Sequence, residues 1–305
     1  MKRNIVTSIA ITTIIGCILI IMYFNDNQNT SITVESTVEY LCSDKIKDRE
    51  YNKIGNEEVT KYIDKLYSQL NLEFIYDNSY LDTFVYQGKS ISNIVGKVSG
   101  KDNTTAIVIT AHFDAWFNGA VDNASGVAAV IELAKNLKIM QQEEKIPNYD
   151  IIFLMTNGEM ACFRGSENFV SKISSLKYKN IYNINIDCIG MKDIYNSNGL
   201  GLKNLSRIPE SEILYNTFKK FLKMNKIEYT NEFPTEKAKL VYEKGYGVSD
   251  YISFEKQGYP NMHICQQGIS EFILNENDNP NLLDYNKIEY FSQNLSIYLI
   301  NFTLD

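Results

Sequence analysis

The chain has 305 residues, of which 44% are hydrophobic and 22% charged, enough apolar material to bury a large core. Its formal net charge of −7 argues against nucleic acid as a partner, because a phosphate backbone demands a basic face. Only two histidines occur, so each bears on any metal chemistry.

In chain order, Lys2 and Arg3 precede an uncharged apolar run over residues 4–24, close in length to the ~20 residues that cross a bilayer as a helix. No basic cluster follows it. The positive-inside rule then keeps residues 1–4 in the cytoplasm and places everything beyond Asn25 outside. A cleaved signal peptide and lipidation of Cys17 in "IIGC" are the alternatives. The apolar run continues through "ILIIMYF", where a processed sequence turns polar, and this favours an uncleaved membrane anchor over residues 5–24. Residues 25–39 are polar and aperiodic and read as a stalk. Residues 40–305 read as the globular domain. Its cysteines, Cys42, Cys162, Cys188 and Cys265, show no close pair and no ligand spacing, so they read as scattered small residues rather than a disulfide framework.

Within that domain, Val59, Tyr62, Ile63, Leu66 and Leu70 recur at helical spacing. "ISNIVGKVSG" and "TAIVITAHFD" read as strands, the second nearly all apolar and therefore central. "DNASGVAAVIELAKNLK" reads as a helix that opens with Asp122 and Asn123 as capping residues. "YDIIFLMTN" and "NIYNINIDCIG" read as further strands, with a helix from about Arg164 between them. "SEILYNTFKKFLKMN" reads as a helix. "PNMHICQ" reads as a short strand, and a final helix starts near Asp284. Alternating strands and helices predict a three-layer α/β/α sandwich around a mostly parallel sheet. In such sheets the site lies beyond the carboxyl ends of the strands.

The reactive side chains collect at that edge. His112 and Asp114 follow one strand, Asp122 opens the next helix, Glu159 follows "DIIFLMTN", and Asp187 follows "NIYNINI". Taken singly each is ordinary: a helix cap, a core histidine, a loop carboxylate. Together they are not, because carboxylates converging on one edge repel unless a cation or protons compensate.

At these residues the sequence resembles the zinc-dependent aminopeptidases of the aminopeptidase S and Y type, a family that also holds glutamate carboxypeptidase and the animal glutaminyl cyclases. The resemblance runs over residues 40–301. "TAHFDAWFNGAVDNASGVAAVIELA" is similar to the family's HxD and DNASG motifs, "NGEMACFRGSENF" to its EExGLxGS motif, and "SDYISFEKQGYPNMHI" to its SDHxxF and GxP segment. The resemblance implies that His112, Asp122 and Asp187 hold one zinc ion, with Asp114 orienting His112 and Glu159 acting as general base on a peptide substrate.

The departures are equally definite. The private ligands of the family's other zinc fall on Met160 and Leu274, and neither residue type replaces a carboxylate or an imidazole on zinc. One zinc ion is therefore expected, unless the late loop "FILNENDN" and its surroundings bring in Glu271, Glu276 or Asp278. The SDH motif reads Ser249, Asp250, Tyr251, and His263 lies on the strand "PNMHICQ"; Asp250, Tyr251 and His263 are candidate pocket residues. Two functions of different class follow: a one-zinc exopeptidase removing N-terminal residues, or a peptidase-fold protein that binds a peptide or partner without cleaving it. A one-metal enzyme acting on another amide is a third.

Overall fold

The computed structural model describes residues 31–193 and 199–304. Contacts divide the chain after Ile32, and the fold is that of the unit from Thr33 onward. Residues 5–24, the expected anchor, lie outside the described residues. Among the described residues no helix is long and apolar enough to cross a membrane.

The end of the expected stalk is instead a helix. Thr33 and Ser36 form a reciprocal capping box at the start of α1 (Val34–Leu41). The helix buries Val34, Val38 and Leu41 completely. Burying three apolar side chains at i, i+4 and i+7 outweighs the weak helical signal of a polar segment. Helix α2 (Ile54–Gln69) follows the spacing read from the sequence.

The strands are β1 (Glu73–Phe74), β2 (Leu81–Tyr86), β3 (Lys89–Val98) and β4 (Asp102–His112). Then come α3 (Ser125–Gln142), β5 (Tyr149–Thr156), α4 (Arg164–Lys172) and β6 (Asn180–Ile186). A small parallel pair, β7 (Leu200–Gly201) and β8 (Tyr229–Thr230), flanks α5 (Ser211–Met224). The chain continues with α6 (Glu236–Glu243), α7 (Tyr251–Lys256), β9 (Asn261–Ile264) and α8 (Tyr285–Asn301).

The main sheet runs in the order β3, β5, β4, β6, β9, with β1 and β2 both antiparallel to β3. β3 is antiparallel to β5, while β5, β4, β6 and β9 are mutually parallel. On one face Val95, Ala106, Val108, Ile152 and Leu154 pack against Phe169 and Val170 of α4 and Phe254 of α7. The alternate residues Ile107, Ile109, Ile151 and Phe153 are fully buried on the opposite face. There α3 covers the sheet and packs in turn on α1 and α8. The result is the expected α/β sandwich, but its sheet is mixed: β5, β4, β6 and β9 pair in parallel, while β3 pairs antiparallel with β1, β2 and β5. The strands β1 and β2, the β7–β8 pair and α6 carried no reading in the sequence, whereas β3 is the strand read from "ISNIVGKVSG".

One local expectation is overturned. Asp122 does not cap the helix, because α3 begins at Ser125 and Asp122 sits with Asn123 in a π-type turn, Ala120–Ala124, with non-helical dihedrals. Asn123 does satisfy a first-turn N–H of α3 from that turn, and it does more. Its Nδ2 donates to the Ile186 carbonyl at 3.0 Å, and its Oδ1 accepts from Gly126 N at 2.9 Å and Cys188 N at 3.1 Å. The turn is thereby tied to the end of β6. Gly126 is required there, since a Cβ would lie 2.2 Å from Asn123 Oδ1.

Candidate metal centre

Three neighbouring parallel strands bring the site together. His112 is the last residue of β4, Glu159 follows β5 on one side of it, and Asp187 follows β6 on the other. Asp122 arrives from the turn before α3. One side-chain ligand atom from each of His112, Asp122 and Asp187 lies within 4.8 Å of the others. His112 Nε2 is 3.1 Å from Asp122 Oδ1 and 3.4 Å from Asp187 Oδ1.

The donor set fits a cation. The Nδ1 atom of His112 lies 3.0 Å from the main-chain oxygen of Asp114, a pure acceptor, so Nδ1 carries the ring proton. That leaves the lone pair of Nε2 facing two carboxylate oxygens. Nε2 is buried and has no partner in hydrogen-bond geometry. Two carboxylate charges under 5 Å apart repel by roughly 3 kcal/mol or more at an effective dielectric near 20, and a positive charge between them removes that cost. A nitrogen with two carboxylate oxygens is the donor set expected of zinc with a position left open.

The electrostatics point the same way. Burial disfavours a charge on His112, yet Glu159, Asp122 and Asp187 together outweigh it and hold its pKa well above the usual range. Burial likewise opposes ionisation of Asp187, but His112 holds its carboxyl below the ordinary carboxylate range. The pocket therefore favours one positive charge at the point where the three side chains meet, a proton on His112 Nε2 or a cation that displaces it. For Glu159 the balance is reversed. Burial, opposed in part by His112 and reinforced by Asp187, pushes its carboxyl well above the ordinary value. Carboxyls displaced upward in this way suit proton transfer near neutral pH.

Asp114 acts on the turn that carries Glu159. Its carboxylate is 3.8 Å from His112 Nδ1, while the shorter contact to that nitrogen comes from its own main-chain oxygen. The carboxylate instead accepts from the main-chain N–H groups of Glu159 and Met160, both at 3.0 Å. The resemblance implies that this carboxylate orients His112; here it holds the turn that presents Glu159.

Asp122, Glu159 and Asp187 line a cleft of about 330 Å³ together with Met160 and Leu274. Both altered positions thus face the same space as the remaining acids, and Ile269 and Ile273 extend the apolar wall. Among the described residues the late loop adds no ligand to this cluster. Glu271 and Glu276 are exposed, and neither they nor Asp278 joins the cluster of His112, Asp122 and Asp187. Asp278 is buried and accepts from the main-chain N–H groups of Val121 and Asp122.

Of the candidate pocket residues only His263 lines the cleft. Its Nδ1 accepts from Asn185 at 3.0 Å, its ring lies 5.1 Å from that of Tyr251, and burial pulls its pKa down to about 4, so the imidazole is neutral. Tyr251 and Asp250 are fully buried behind it and do not reach the cleft. Asp250 accepts from the hydroxyls of Thr156 and Ser166, which locks α7 to β5 and α4. Side chains that the sequence did not single out also matter. Cys188 donates its thiol to Asp187 Oδ1 at 3.1 Å, and Cys162, Cys188 and Cys265 all face the cleft as free thiols. No spacing signal marks them, because they meet only through the β6–β9 pairing and the turn after β5.

Comparison with known proteins agrees with this arrangement. A probable glutamate carboxypeptidase of Zea mays is 35% identical over 114 residues, which is 35% of this chain and 16% of that protein, so the chain matches about one sixth of its length. The aminopeptidase LapA of Legionella pneumophila superposes with a TM-score of 0.67 at 20% identity, covering 88% of this chain and 70% of that one. A zinc aminopeptidase from Bacillus subtilis gives 0.55 at 16% identity, over 70% of this chain and 51% of the other. At these identities the two structures establish a shared fold. The family model for peptidase family M28 matches residues 93–299, which spans β4, the π-type turn, Glu159, Asp187 and the late loop, and the chain belongs to that family.

Proposed function

We propose that the chain is a zinc-dependent exopeptidase that removes N-terminal residues from peptides, held at the membrane by residues 5–24 with residues from 25 onward outside. The observation that carries the enzymatic reading is the buried Nε2 of His112, unpartnered and flanked by Asp122 and Asp187. The family match and the zinc aminopeptidase likeness support zinc as the ion. His112, Asp122 and Asp187 would hold it. When bound, zinc supplies Lewis acidity toward a water molecule and the scissile carbonyl. Glu159 accepts the proton from the attacking water and returns it to the leaving amine. Asp114 fixes the turn that presents Glu159, and His263 adds an uncharged wall to the cleft.

A second reading is favoured by a specific observation. Met160 and Leu274 turn one wall of the cleft apolar where the family site has ligands, which suits binding of a peptide without cleavage. Turnover of aminoacyl anilides separates the two. The enzyme reading expects hydrolysis that a chelator stops and about one equivalent of zinc restores. Absence of turnover at every zinc loading would leave the binding reading.

A further inference from the structure

The segment between His112 and Asp122 carries no regular structure before its π-type turn, yet it must hold two of the three metal-facing side chains in register. Two buried charged side chains grip it. Arg49, fully buried in the loop between α1 and α2, donates its Nε to the Phe113 carbonyl at 2.7 Å and its Nη2 to the Gly119 carbonyl at 2.7 Å. Its Nη1 donates to Asn118 at 2.5 Å and to the Leu41 carbonyl at 3.2 Å. One guanidinium therefore spans both ends of the segment 113–119. Immediately beyond it, Asp278 takes over from the opposite direction in sequence. Its Oδ1 accepts from Val121 N at 2.6 Å and its Oδ2 from Asp122 N at 3.1 Å.

Both oxygens of Asp278 are thus committed to consecutive main-chain donors, and the side chain is only 1% exposed. Asp122 itself has φ −113° and ψ 84°, outside the helical region, and this conformation sets its carboxylate against His112. Without Asp278, two buried N–H groups at that turn lose their acceptors and the turn loses the contact that fixes the Asp122 main chain.

We propose that Asp278 is a positioning residue for Asp122, so that the late loop acts on the metal centre through the main chain rather than by donating a ligand. This rests on the assignment of His112, Asp122 and Asp187 as the metal-holding set. Outer contacts of this kind set metal affinity, and their removal costs on the order of tenfold to a hundredfold.

The test is Co²⁺ binding to the full chain by titration and by visible absorption of the bound ion, with melting of the metal-free protein in parallel. Asp278→Asn keeps the volume and one acceptor, while Asp278→Ala removes both. The proposal expects affinity to fall about tenfold in the first and up to about a hundredfold in the second. The absorption bands of bound Co²⁺ shift, while Asn277→Ala at an exposed position of the same loop leaves affinity and spectrum unchanged. Unchanged Co²⁺ affinity and spectrum in Asp278→Asn overturn the proposal, and that variant decides the matter if Asp278→Ala does not fold. Asp187→Ala in the same titration separates the two levels. If Asp187→Ala still binds like the parent, the metal-site assignment fails; if it loses Co²⁺ while the Asp278 variants do not, only the positioning role fails.

Discussion

His112 Nε2 lies 3.1 Å from Asp122 Oδ1, although one residue ends a central strand and the other sits in a turn ahead of a helix. The ten-residue separation is bridged by an irregular loop, and the fold spends several buried hydrogen bonds on holding it. Such an approach between an imidazole lone pair and a carboxylate is unfavourable by itself and becomes favourable around a cation.

Glu159 should be separable from the metal set. Glu159→Gln keeps the shape of the side chain and removes its capacity to take a proton. Bound zinc is expected to stay near the parental level while hydrolysis falls by on the order of 10²–10⁴-fold. Parental turnover in this variant would show that another group takes the proton.

Gly126→Ala should disturb the site from a distance. The added methyl group falls 2.2 Å from Asn123 Oδ1, so Asn123 must leave its bonds to Gly126, Cys188 and Ile186. Overpacking of this kind destabilises by about 1–3 kcal/mol. A chemical denaturation midpoint equal to that of the parent would mean that Asn123 moves freely.

The two altered positions make a gain-of-site experiment possible. Met160→Glu combined with Leu274→His places a carboxylate and an imidazole on the wall that also holds Asp122. The double variant should bind one more zinc ion per chain than the parent, and Met160→Glu alone should not. Equal metal content in parent and double variant would mean that the two positions do not converge on one point.

Asp250 sets a pH signature in stability. Burial pushes its carboxyl up to about 6 from an ordinary value of 3.8. A raised carboxyl favours the protonated folded form, so its contribution is full below about pH 3.8 and is lost as pH rises through 6. Asp250→Asn removes that titration. The melting temperature of Asp250→Asn minus that of the parent should rise between pH 4 and pH 6 and then level off. A difference that stays flat over this interval would mean that Asp250 is ionised throughout.

Much of the centre was legible because apolar strands announce themselves and a parallel sheet fixes where their ends lie. His112, Glu159 and Asp187 could be placed at one edge from the runs "AIVITA", "DIIFLMT" and "NIYNINI" alone. Asp122 was placed correctly near the site and wrongly as a helix cap, since a π-type turn leaves no period to read. Arg49 and Asp278 were harder, because, the Leu41 carbonyl apart, their partners are main-chain atoms 64 to 70 and 156 to 157 residues away. A side chain that recognises a distant carbonyl or N–H group leaves no local pattern. Helix α1 was hidden for the related reason that its stability comes from packing on α3 rather than from its own composition.

The central claim is that His112, Asp122 and Asp187 form one zinc centre, and metal content of the parent and of Asp187→Ala, each purified and analysed by elemental emission, tests it most directly. One zinc per chain in the parent and none in Asp187→Ala is the predicted result. Stoichiometric zinc retained by Asp187→Ala would contradict it.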